Sequence, residues 1–133
     1  METGKVRFGY FNFAFLGDES QWAAEAAECA GDQNENAFWD FHDYLFSHQN
    51  GENKGAFSKD NLKGFAATMS LDTKAFNECL DSGKYTQLVK DQTDFARSLG
   101  VQSTPTFILN GKGIVGAQSF DYFKQLIDGF LNQ

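Results

Sequence analysis

The chain has 133 residues, an ordinary single-domain length, and its fifteen Phe, four Tyr and two Trp supply enough aromatic surface for a sizeable core without metals or several disulfides. Eleven basic residues against eighteen acidic ones leave a net charge of -7, which repels nucleic-acid phosphates and anionic lipid surfaces alike and excludes both as partners. No run approaches the roughly 20 apolar residues of a membrane span, and residues 1–7 hold no basic leader followed by an apolar stretch, so membrane insertion is not expected.

Residues 5–15, opening at Lys5 and ending on Phe15, read as a strand rich in aromatic and β-branched side chains: Val6, Phe8 and Tyr10, then Phe11, Phe13 and Phe15. The alternation changes register at Tyr10-Phe11, which predicts a bulge or burial on both faces. A helix follows from about 19 to 32, with Asp18 as its N-cap and Trp22, Ala26 and Cys29 on one face. A second helix over about 36–48 carries Phe38, Trp39, Phe41, His42, Leu45 and Phe46, and the polar stretch 49–56 after it is expected to be the most mobile internal loop. Ser58 is expected to cap a third helix bearing Leu62, Phe65, Ala66 and Met69. Asp72 does the same for a short fourth helix through Phe76, Cys79 and Leu80, stopped near Gly83. Residues 85–99 show the clearest helical period, with Gly100 just past the end.

The pattern then switches. Residues 106–109 form a short strand, Asn110-Gly111 is the favoured two-residue hairpin turn, 112–116 return as the partner strand, and Phe120, Phe123, Ile127, Phe130 and Leu131 mark a closing amphipathic helix.

Pro105 is the only proline, placed between a helix end and a buried strand. Taken alone it reads as the start of an edge strand, although X-Pro is also the one linkage where cis costs only about 0.5 to 1 kcal/mol. Its setting decides between these. The order helix, loop, Thr104-Pro105-Thr106-Phe107, strand, Asn-Gly turn, strand, Gly116, helix resembles the carboxy-terminal half of a thioredoxin fold, in which that proline is cis. The several helices ahead of it, with the stretches 19–30, 38–46 and 100–107, resemble the DsbA family of thiol-disulfide oxidoreductases over nearly the whole chain. The fold class expected is therefore α/β, a single thioredoxin-like domain over 1–133 with a helical insertion at about 36–83. The resemblance implies that Thr104 and Pro105 bind extended polypeptide by offering a free backbone edge, and that the setting is the cell envelope or the exterior. Polypeptide substrates are the partners implied; no cofactor is expected.

The sequence departs from the family in one respect. Members carry Cys-x-x-Cys in the first turn of a helix after their first strand, where the helix dipole lowers a thiol pKa. This sequence is read as starting at the second strand, and it contains no Cys-x-x-Cys. Its two cysteines, Cys29 and Cys79, both lie on inward helix faces. A structural disulfide, two buried free thiols and a redox-active pair all remain open for them, the first being favoured; by chain entropy a bridge of this span contributes about 4 kcal/mol. Without a catalytic pair, dithiol exchange is not expected, and the alternative function is a redox-inactive polypeptide-binding module. His42 and His48, about 600 degrees of helix rotation apart, cannot share a metal, and none is expected. Finally, strand 5–15 is expected either to pair directly with 106–109 or to meet a strand of a second chain, giving a homodimer.

Overall fold

The computed structural model describes residues 2–132, which divide into two compact units, one made of residues 12–95 and the other of 2–11 with 96–132. The larger unit is helical: α1 (Asp18–Gly31), α2 (Glu35–Ser47), α3 (Lys59–Thr68), α4 (Thr73–Ser82) and most of α5 (Thr86–Ser98). Its core forms where the apolar stripes of the first four helices meet. Small residues on α1, Ala26, Ala27 and Ala30, let neighbouring helices approach, and Phe41 of α2 packs on Phe76 of α4 with ring centroids 5.4 Å apart. Phe41, Phe76, Leu62 and Leu80 are fully buried, each contributing about 1.5 to 3 kcal/mol of transfer free energy.

Local chemistry fixes the helix ends. Asn34, Ser58 and Asp72 each accept a hydrogen bond from a backbone N–H of the first turn, of Ala37, Asn61 and Ala75 respectively. Asp18, expected as the cap of α1, is instead its first residue, and Gly17 holds the cap position with no side-chain bond. The reason is steric: Gly17 has φ +105, and a Cβ there would meet the Asn53 side chain at 2.8 Å. That Asn53 amide donates to the Leu16 carbonyl. Loop 49–56, expected to be the most mobile, is thereby tied to the start of α1, and one carboxylate, Glu19, accepts from the amides of both Gly55 (2.8 Å) and Phe57 (2.9 Å). At the far end of α4, Gly83 turns left-handed (φ 66) and the Lys84 amide reaches back to the Cys79 carbonyl, a Schellman-type stop.

The smaller unit contains the hairpin β1 (Thr106–Leu109) and β2 (Lys112–Val115) and the helix α6 (Phe120–Leu131). The strands are antiparallel, pairing Thr106 with Val115 and Leu109 with Lys112, and both turn residues, Asn110 (φ 47) and Gly111 (φ 83), take the positive φ that a type I′ turn requires. Phe107 stacks edge-on against Phe123 of α6, and Ser119 caps that helix.

The strand expected at 5–15 is not present: among the described residues the sheet has two strands only, and residues 6–15 form no ladder and do not pair with β1. Where this segment enters the larger unit its amides find side chains instead. The Asn12 N–H donates to Gln92 Oε1 (2.9 Å) and the Ala14 N–H to Thr93 Oγ1 (3.0 Å), whose hydroxyl in turn donates to the Val89 carbonyl. A backbone that is extended and aromatic-rich needs a neighbouring strand to become sheet, and here the Asn12 and Ala14 donors are satisfied by side chains of α5.

Candidate functional site

The proline loop is built by the end of α5 and the start of the hairpin. After Ser98 the chain turns through Gly100 (φ 81), and the Val101 amide bonds back to the Ala96 carbonyl, which releases the chain from the helix. Three contacts shape the loop that follows. Thr106 Oγ1 donates to the Ser103 carbonyl at 2.7 Å, the Gly116 amide donates to the Pro105 carbonyl at 2.8 Å, and the Thr104–Pro105 peptide bond is cis. Thr104 and Pro105 are both exposed. The carbonyls on either side of Thr104 are thus taken, whereas among the described residues the Thr104 amide and carbonyl have no hydrogen-bond partner.

In the larger unit Cys29 of α1 and Cys79 of α4 form a disulfide, with Cα atoms 5.8 Å apart. Cys29 is 1% exposed and Cys79 9%. Asp32, at the end of α1, places Oδ2 3.7 Å from the Cys79 sulfur; a bonded sulfur has no proton to give, so this is a carboxylate in contact with the bridge. The same carboxylate accepts from Lys84 Nζ at 2.6 Å and from the Tyr85 hydroxyl. Burial pushes the Asp32 carboxyl up, but the hydrogen bonds from Lys84 and Tyr85 outweigh it and hold the group below the usual Asp value. The hydrogen bond to Asp32 holds Lys84 above its usual range, and burial followed by the same bond raises Tyr85. Next to it Glu28 is raised, first by burial and then by the nearby Asp32 charge, against a hydrogen bond from Asn12. Glu28, Asp32 and Glu35 with Phe38, Trp39 and Tyr85 line an open cavity of about 310 Å³.

A family model described as Thioredoxin matches residues 1–129. Disulfide bond formation protein D of Bacillus subtilis is 29% identical over 129 residues, covering 96% of this chain and 58% of that protein. The crystal structure of oxidised BdbD from Bacillus subtilis superposes with a TM-score of 0.86 at 28% identity, over 99% of this chain and 72% of the other. The chain belongs to the DsbA-like thiol-disulfide oxidoreductases of the thioredoxin family. The thiol-disulfide exchange protein alpha-DsbA2 from Wolbachia pipientis agrees, with a TM-score of 0.83 at 25% identity over 97% of this chain and 68% of that one. The chain spans 58% of the length of the curated Bacillus relative.

As a DsbA-like protein the chain has the thioredoxin-like fold its sequence implies, with helices and a small two-stranded sheet. Of the residues singled out from sequence, Cys29 and Cys79 are brought together, while Thr104 and Pro105 lie in the other unit. His42 pairs with Asp43 at 2.9 Å, and His48 stacks on Tyr44 and contacts its carbonyl. No cluster of three or more His, Cys, Asp or Glu placed to hold a metal occurs among the described residues. Sequence reasoning missed the Asp32–Lys84–Tyr85 group. The one signal that could have found it is the pair of helix stops, at Asp32 and at Gly83, each of which follows a cysteine by three or four residues.

Proposed function

We propose that residues 1–133 act as one DsbA-like domain, with its helical insertion at about 36–83, that binds extended polypeptide along the Thr104 backbone edge and does not by itself run dithiol exchange. The observation that carries the first part is the exposed, unpartnered amide and carbonyl of Thr104, held between carbonyls that are already occupied. An extended peptide can add to such an edge as a strand does, with main-chain bonds supplying affinity. The second part rests on the cysteines: exchange in either direction needs a sulfur that a partner thiol or disulfide can reach, and both sulfurs of this chain are bonded to each other in the buried core.

Titrating the protein with an unfolded, carboxymethylated client should shift the amide resonances of Ser103, Thr104 and Thr106, and shifts confined to other residues would refute the edge. In parallel, reduction of insulin disulfides by dithiothreitol should proceed at its uncatalysed rate. Turnover abolished by Cys29→Ser would show that the bridge itself cycles.

The two readings of such a domain, an oxidoreductase domain without its own redox pair and a redox-inactive module that only binds polypeptide through the cis-proline groove, share this edge, and the buried bridge favours the second. Exposed Phe8 and Phe11 in the smaller unit support self-association as a homodimer through residues 5–15, to be checked by light scattering at micromolar concentrations.

A further inference from the structure

We propose that the polypeptide edge at Thr104 continues along β1, so that an extended client segment binds as an added strand, pairing with Thr104, Thr106 and Ile108. This rests on Thr104 being a binding edge, and adds the length, conformation and side-chain pattern of the client. In an antiparallel ladder, opposed residues alternate between pairs that exchange backbone hydrogen bonds and pairs that do not. The Gly116 amide donates to the Pro105 carbonyl, and Thr106 faces Val115 on the next rung. The bonded rungs are therefore Pro105–Gly116, Phe107–Ile114 and Leu109–Lys112, which leaves the N–H and C=O groups of Thr106 and Ile108 pointing away from β2. Among the described residues the sheet has no third strand, and neither backbone has a hydrogen-bond partner there. Free donors and acceptors thus recur at every second residue from Thr104 to Ile108, which is the spacing of an open strand edge.

The two faces of the hairpin decide which side chains such a strand should carry. On one face Phe107 packs on Phe123 of α6 and Ile114 is buried. On the other, Ile108 is 56% exposed and Val115 65% exposed, an apolar strip that ends at the open edge. A strand added beside β1 sets every second side chain next to Ile108 on that face, where a β-branched or aromatic residue gains burial and a cross-strand contact. A slip of one residue would turn those side chains to the opposite face, so the apolar alternation of the client also fixes its register. The client is therefore an unfolded segment of five or more residues with apolar side chains at alternate positions. Backbone pairing and burial hold it, and no group in it reacts.

The test uses the full chain and an acetylated, amidated nonapeptide in which valine alternates with serine between terminal lysines. Saturation with this peptide should slow hydrogen exchange of the Thr104, Thr106 and Ile108 amides, read by NMR. An isomeric peptide with its valines grouped together should bind about threefold more weakly. Ile108→Pro removes only an outward N–H, at an edge position that tolerates proline, and should weaken the alternating peptide about fivefold while the β2 amide resonances stay in place. N-methylation of the peptide asks the same question without touching the protein fold: methyl groups on one alternate set of nitrogens should abolish binding, and those on the intervening set should leave it unchanged. Slowed exchange at Thr104 with none at Ile108 would overturn strand addition and leave the Thr104 contact standing, whereas no change at either would overturn both. Equal loss of affinity from N-methyl groups at every position, or slowed exchange of these amides on raising the protein concentration without peptide, which would assign the edge to a second copy of the chain, would each overturn the proposal.

Discussion

The two units of the molecule solve the same problem by different means. In residues 12–95 nearly everything that stabilises is interior: interlocked helices, a bridge between α1 and α4, and side chains that cap each start. Among the described residues, the only buried hydrophobic ones in the other unit are Ala96 and Ile114; its order comes from a turn, a short ladder and local backbone bonds, with Phe120 left 81% exposed. The lesson is that the part suited to rigidity and the part suited to contact are separate. Residues 103–106 can offer a backbone edge because no core requires it, whereas the helices around Cys29 cannot move without losing packing.

The comparison breaks most sharply on truncation of a ring. Phe76→Ala should cost about 3 to 5 kcal/mol in urea denaturation followed by helical circular dichroism, while Phe120→Ala should stay within about 0.5 kcal/mol. Replacing both cysteines by serine should cost the larger unit about 2 to 4 kcal/mol, since the bridge closes a loop of fifty residues. An unchanged midpoint would mean that the packing around the bridge is sufficient alone. Thr93→Val keeps the shape but removes the acceptor of the Ala14 amide, and should cost about 1 to 3 kcal/mol with faster exchange of that amide proton.

The smallest expected effect is on pH dependence, and its two carboxylates act in opposite senses. Asp32 is depressed in the folded state, so the stability it contributes is present above about pH 3.8 and is lost as pH falls through its lower folded value. Glu28 is raised, so its native state holds a proton longer than the unfolded chain, and stability declines as pH climbs from 4.5 through the folded value. Asp32→Asn should flatten the acid limb of the stability curve, and Glu28→Gln should flatten the decline above it.

Much of this was legible in the sequence for physical reasons. Helices announce themselves through a period of 3.6 and through caps, so Ser58, Asp72 and Gly83 mark real ends. Asn110-Gly111 carries its turn type in its own φ preference. Residues 5–15 misled because strand character is local while pairing is not: nothing in Val6 to Phe15 says that Gln92 and Thr93 will take the Asn12 and Ala14 amides. The same holds for the surroundings of the bridge. That Cys29 and Cys79 face inward can be read from helix faces, but Asp32 meets Lys84 and Tyr85 only through the packing of α1 on α4, more than fifty residues away in sequence.

The double acceptance by Glu19 has an engineering consequence. With anchors at Asn53, Gly55 and Phe57, the closure of loop 49–56 is fixed from its C-terminal side, so residues 50–52 are where the chain can change length at little entropic cost. Insertion of a tag or a fluorophore-bearing segment there adds only about 0.6 kcal/mol for each doubling of the loop, whereas one inserted between 53 and 57 separates two donors from the carboxylate that holds them. The sequence thus carries a graft point bounded by two side chains, Asn53 and Glu19.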